Sequence, residues 1–195
     1  MGNPVSSYRS ALACLTVLLF LVPACAALAM DYTHRPTGIV LPEKLSMFTR
    51  GKPRDYDLNF PGMGTGISYE LADIKAIIDI YDLNRRGSDI TQEDVALEAR
   101  RTVLDVYRKV EDRYYGEVVP LQDVALYDGG SLRPVFMAGY TVHNTSQSFR
   151  EYIYMTSFKR HFIRIRMVHP DSTSDDIVRN VFVRRFIELL DRQGG

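Results

Sequence analysis

From residue 43 onward, apolar residues recur at every second position in several stretches and at spacings of three and four in two longer ones. The stretches "GISYEL", "KAIIDIYDL", "EVVPLQDVALYD", "RPVFMAGYTVHN", "SFREYIYMTSF" and "HFIRIRMVHP" read as strands, because successive strand side chains point to opposite faces. In "KAIIDIYDL", Ile78, Ile80 and Asp82 fall on one face and Ile77, Asp79 and Tyr81 on the other. Both faces are largely apolar, so this strand is expected to be central and covered. Turn residues separate the runs: Ala72-Asp73-Ile74 suits a hairpin, and Asp128-Gly129-Gly130-Ser131 and Asn144-Thr145-Ser146 suit longer turns. Upstream, "LSMFTRGKPRDYDLNF" reads as a strand, a Gly-Lys-Pro turn and a second extended piece. Residues 30–42, polar and proline-punctuated, read as an extended lead-in.

The helical spacing appears twice. Thr91 as N-cap places Asp94 at the third helical position, a short-armed capping box, and Ile90 and Val95 can close a hydrophobic staple over it. Val95, Ala99, Val103, Val106 and Val110 then form one apolar stripe, predicting a helix to about Tyr114 that stops near Gly116. A second helix is predicted after "DSTSDD", whose acids suit the positive end of a helix. Its expected face carries Val178, Val181, Phe182, Arg185 and Leu189, with Phe186 and Leu190 beside it. Short links between strands predict a mainly antiparallel β-sheet with two principal helices packed on it, an α+β domain over residues 43–192.

The first 29 residues follow a different pattern. Arg9 is the charged residue before the continuous apolar run Ala11–Val22, Pro23 ends that run, and the small-residue stretch "ACAALA" follows. That is the order of a secretory signal peptide, cleaved after Ala26 or Ala29. An uncleaved anchor would need about 20 apolar residues, and Val22-Pro23-Ala24-Cys25 loosely matches a lipidation signal, so membrane contact is expected only if the leader is kept or Cys25 carries lipid. The two cysteines, Cys14 and Cys25, both lie in this segment. An exported chain without it has no disulfide, thiol nucleophile or cysteine metal site. Lys and Arg total 24, as do Asp and Glu. This balance gives no reason to expect nucleic acid as a partner.

Candidate chemistry is sparse. Gly62, Gly64 and Gly66 invite comparison with a phosphate loop, which requires a helix N-terminus after it. Here a strand-like run follows and there is no Walker lysine, so the glycines are expected to shape a strand entry, and no cofactor is expected. His34, His143, His161 and His169 show no metal-ligand spacing, so no metal site is expected either. The chain has no G-x-S-x-G elbow. Asp79 and Asp82, if buried, need partners, which Arg164 or Arg166 can supply. In "SFKRHFIRIRMVHP", Ile163, Ile165 and Met167 face one way and Arg160, Arg164 and Arg166 the other. Such a row of cations suits an anionic partner, with Tyr152 and Tyr154 bordering it if the two strands form a hairpin.

The stretches "LPEKLSMFTRGKPRDYDLNFPGMGTGISYEL", "KAIIDIYDL" and "YIYMTSFKRHFIRIRMVHP" resemble the core of uncharacterised exported proteins of Gram-negative bacteria. The order of elements also resembles the α/β/α sandwich of PsbP-like proteins. The resemblance implies a fold and brings no catalytic residues with it. A chloroplast role is not implied, because the leader is of the secretory type. The expectation is a periplasmic or secreted non-catalytic binding or accessory domain, meeting an envelope protein or anionic partner through Arg160, Arg164, Arg166, Tyr152 and Tyr154. The alternative is a small exported hydrolase centred on His143 or His161, recognisable by a histidine that sits in a concave site and bonds a serine or carboxylate.

Overall fold

The structure is a computed structural model that describes residues 30–85, 89–171 and 176–194. The expected leader lies outside the described residues, and Asp31–Gly195 forms a unit by itself. Its first strands, β1 (Tyr32–His34) and β2 (Ile39–Leu41), pair with each other as a separate hairpin. The main sheet takes β3 (Lys44–Leu45), β4 (Phe48–Arg50), β5 (Arg54–Asp55), β6 (Thr65–Leu71), β7 (Ile74–Tyr81), β8 (Glu117–Leu126), β9 (Phe136–His143), β10 (Ser148–Phe158) and β11 (His161–Pro170). Their spatial order is β3-β4-β6-β7-β11-β10-β9-β8, with β5 pairing onto β6. Among the described residues every strand pairing is antiparallel. The helices are α1 (Gln92–Glu111), between β7 and β8, and α2 (Asp176–Gln193), after β11.

Alternation along the central strands sends two apolar sets to two helices. Ile78 and Ile80 of β7, Ile163, Ile165 and Met167 of β11, and Tyr152 and Tyr154 of β10 pack with Phe182, Val183, Phe186 and Leu190 of α2. On the opposite face Tyr81, Phe162 and Met155 meet Val95 and Ala99 of α1, while Tyr140, Val142 and Ile153 meet Val106. The protein is therefore α+β, a mostly antiparallel sheet with a helix on each face. Phe48, on β4, packs against Phe182 at a centroid distance of 4.6 Å with the rings tilted by 55°, tying one end of the sheet to α2.

Local signals explain the boundaries. Thr91 accepts from the Asp94 amide and the Asp94 carboxylate accepts from the Thr91 amide, so the capping box is present on both sides. Lys159, at φ 54°, sits in the two-residue turn between β10 and β11, and Ala72, at φ 51°, sits in the turn between β6 and β7.

Three expectations need correction. The lead-in closes on itself as the β1–β2 hairpin, and Ile39 and Leu41 are wholly buried in the α2-side core. The buried stripe of α1 is Val95, Ala99, Thr102 and Val106, with Val103 only half-buried beside it. On α2 the buried face is Arg179, Phe182, Val183, Phe186, Ile187, Leu189 and Leu190, leaving Val181 and Arg185 exposed. Burying Arg185 would have required a partner for its charge, whereas the adopted rotation leaves it outside, bonded to Glu188.

Candidate functional site

The arginines of β11 do not form an outward row. Arg164 pairs across to Asp79 of β7, which is 2% exposed, and its Nη2 lies 3.0 Å from Asp79 Oδ2. Arg164 Nε also donates to the same oxygen at 3.0 Å. Arg166 Nε reaches it at 3.5 Å, an ion pair without a hydrogen bond. The Arg164 guanidinium also stacks 5.3 Å from the Tyr81 ring centre, on the α1 side of the sheet. Burial alone pulls its pKa down, but Asp79 and Tyr81 together hold it above the ordinary value. Arg160 stands apart, in the β10–β11 turn, 3.6 Å from the exposed Asp89.

Tyr152 and Tyr154 are not neighbours of these arginines. The β10–β11 hairpin forms, but its register sets Tyr152 opposite Met167 and Tyr154 opposite Ile165, while Ile153 and Met155 face Arg166 and Arg164. Strand alternation therefore turns the two tyrosines toward α2. There the guanidinium of Arg179 covers Tyr152 at 3.6 Å. The expected tyrosine-bordered basic surface is divided between two faces of the sheet.

Arg164 does reach one cavity, of about 390 Å³, beside Tyr81, Leu83 and Leu104. Arg101 and Arg108 line it too, but Glu98 and Asp105 stand among them, with Arg108 2.8 Å from Asp105. Three arginines there stand against two acids, and each arginine is already paired, Arg101 with Glu98, Arg108 with Asp105 and Arg164 with Asp79 outside the lining.

The glycine loop binds an anion that the chain itself supplies. Asp57 Oδ1 accepts from the amides of Gly62 at 2.9 Å and Gly64 at 2.7 Å. Gly64, at φ +62°, also lets the loop lie against β7, since a Cβ there would fall 1.9 Å from the carbonyl oxygen of Ile80. The glycines shape a strand entry.

That entry forms one wall of a second cavity, of about 370 Å³. His34 comes to it from β1, Asp55 and Asp57 from the segment before β6, Asp82 from the end of β7, and His161 from the start of β11. The separate β1–β2 hairpin and strands of the main sheet bring together residues that are far apart in sequence. His34 is 3% exposed, its Nδ1 lies 2.8 Å from Thr37 Oγ1, and that oxygen also accepts from the Ile39 amide. Burial, then the facing His161, lowers its pKa from 6.5 to about 4 against the opposing pull of Asp57 and Asp55. Burial likewise lowers His161, against Asp82 and Asp57. Both rings are thus neutral at pH 7. The His161 Nδ1 is buried without a hydrogen-bond partner. Among the described residues, no three His, Cys, Asp or Glu are placed to hold a metal ion.

Comparison with known proteins adds little to this geometry. No family model matches the chain, and no curated protein does. Among solved structures, the chain is similar to the solution structure of cyanobacterial PsbP (CyanoP) from Synechocystis sp. PCC 6803. The identity is 14%, over 83% of this chain and 94% of that chain, with a TM-score of 0.43. The resemblance to exported proteins of Gram-negative bacteria gains no support from these matches.

The histidines of the hydrolase alternative lie apart. His143 Nδ1 is 2.7 Å from Ser148 Oγ, but the two are cross-strand partners closing the β9–β10 hairpin. His161 lines the cavity, yet among the described residues it bonds no serine or carboxylate. Among the described residues, neither of the two cavities above is lined by a histidine that bonds a serine or a carboxylate. Of the cavity's groups, the sequence alone singled out His161 and named Asp82 as an acid in need of a partner. The spacing Asp55-x-Asp57, just before a glycine loop whose amides need an acceptor, was the local signal available for the others.

Proposed function

We propose that this chain is an exported, non-catalytic binding domain of the cell envelope, and that it takes its ligand or partner at the His34–His161 cleft. The observation that carries the reading is the assembly of the cleft itself. Separate segments bring two imidazoles and three carboxylates to one cavity, and a cavity of this size with convergent polar groups is the usual form of a ligand site. The arginines of β11, by contrast, are engaged by Asp79. Export rests on the leader pattern. Among the described residues no helix is long and apolar enough to cross a membrane.

The test is a titration of the full-length chain with small cationic, anionic and neutral solutes, followed through amide and imidazole NMR signals. The reading predicts saturable changes at His34 and His161 with at least one class. Saturable changes confined to Arg164, Arg166 and α1, with His34 and His161 unmoved, would overturn it in favour of an arginine surface. Cell fractionation tests the export half, and retention in the cytoplasm would contradict it.

A further inference from the structure

We propose that the His34–His161 cleft binds a protonated primary amine, carried by a small solute or by a lysine side chain of a partner protein. This rests on the reading of the cleft as the ligand site and names the ligand chemistry. The lining carries Asp55, Asp57 and Asp82 against Arg35, the cation among its described residues. The cleft is therefore net negative at neutral pH, where both imidazoles are uncharged and do not offset the acids.

Each carboxylate is held in place by the chain. Asp55 Oδ1 accepts from the Asp57 amide at 3.0 Å, Asp57 Oδ1 from Gly62 and Gly64, and Asp82 Oδ1 from the Asn84 amide at 2.8 Å. Backbone anchoring of one oxygen fixes each group and leaves its second oxygen able to accept. The imidazoles point to the same class of ligand. His34 has its Nδ1 committed to Thr37, leaving Nε2 for a ligand. His161 has a buried Nδ1 with no partner, so an incoming polar group can satisfy an atom the fold leaves unmet.

An ammonium group offers three donors and no acceptor, which suits a wall of anchored carboxylates and neutral ring nitrogens. An anion would face three carboxylates. A metal ion would need a convergent set of ligands, and no three such groups are so placed among the described residues.

The experiment titrates the full-length chain at pH 7 and fixed ionic strength with n-butylammonium and with Nα-acetyl-lysine amide. The readout is the ring signals of His34 and His161. Both amines should give saturable shifts, weakened by added salt, and the Nε-acetylated lysine derivative and n-butanol should give none. Equal affinity for the two amines favours a small solute, and clear preference for the lysine derivative favours a protein side chain. Arg35→Gln should tighten amine binding several-fold and Asp55→Asn should weaken it several-fold; misfolding cannot produce these opposite signs. Saturation by acetate, phosphate, butanol or zinc, with no response to amines, overturns the amine assignment and leaves the cleft as a ligand site. No saturable change with any probe overturns both readings.

Discussion

The rings of His34 and His161 meet edge to face with centroids 6.0 Å apart, joining the β1–β2 hairpin to the start of β11. The contact holds while at least one ring is neutral, since two imidazolium rings at this distance repel.

Acid should therefore weaken the fold through His34. Its pKa is about 4 in the folded chain against an ordinary 6.5, so the unfolded chain binds the proton more readily between those values. The stabilisation is complete above pH 6.5 and is lost as pH falls toward 4. His161, Asp57 and Asp55 face the ring, and Lys159 lies behind it, bonded to the Thr37 carbonyl. Urea midpoints measured between pH 7 and 4 should fall more steeply for the wild type than for His34→Gln. Parallel curves would show that His34 does not carry this dependence.

Gly64 and Gly130 both have positive φ, but they differ in their surroundings. A Cβ at Gly64 would strike the backbone of Ile80, whereas Gly130 has nothing within 4 Å. Gly64→Ala should cost clearly more than about 1 kcal/mol, and Gly130→Ala should cost about that or less. Equal losses in thermal midpoint would deny the close approach of the loop to β7.

On α1, Val106 is 3% exposed and packs against Tyr140, Val142 and Ile153, while Val103 is half-buried at the margin of the same cluster. Val106→Ala should cost about 1–3 kcal/mol through lost burial and a residual cavity. Val103→Ala should cost less, and the exposed Arg101→Ala almost nothing. Urea midpoints that reverse this ranking would show that the helix buries a different face.

Much of this architecture was legible in the sequence because its signals are local. Period-two runs marked the long strands, and Thr91 with Asp94 marked the start of α1. The face of α2 was harder to read, since apolar residues at 181, 182 and 183 fit two rotations, and burial of Arg179 disguises the true one. The side on which Tyr152 and Tyr154 lie depends on register. A two-residue turn pairs Phe158 with His161 and so puts both tyrosines in phase with Ile165 and Met167. The cleft had no compact signature. It exists because β11 leaves its hairpin partner β10 on one side and pairs with the distant β7 on the other, bringing His161 near Asp82 and the glycine loop.

The central claim is that the charged row of β11 belongs to the architecture, so that ligand recognition falls to the cleft. The most direct measurement is thermal and urea unfolding of the double variant Arg164→Gln, Arg166→Gln. Removing both cations leaves the Asp79 carboxylate, with 4% of its side chain exposed, without its partners beneath α1. A loss of about 3–5 kcal/mol is predicted. Stability equal to wild type would contradict the account and return these arginines to the role of a surface for an anionic partner.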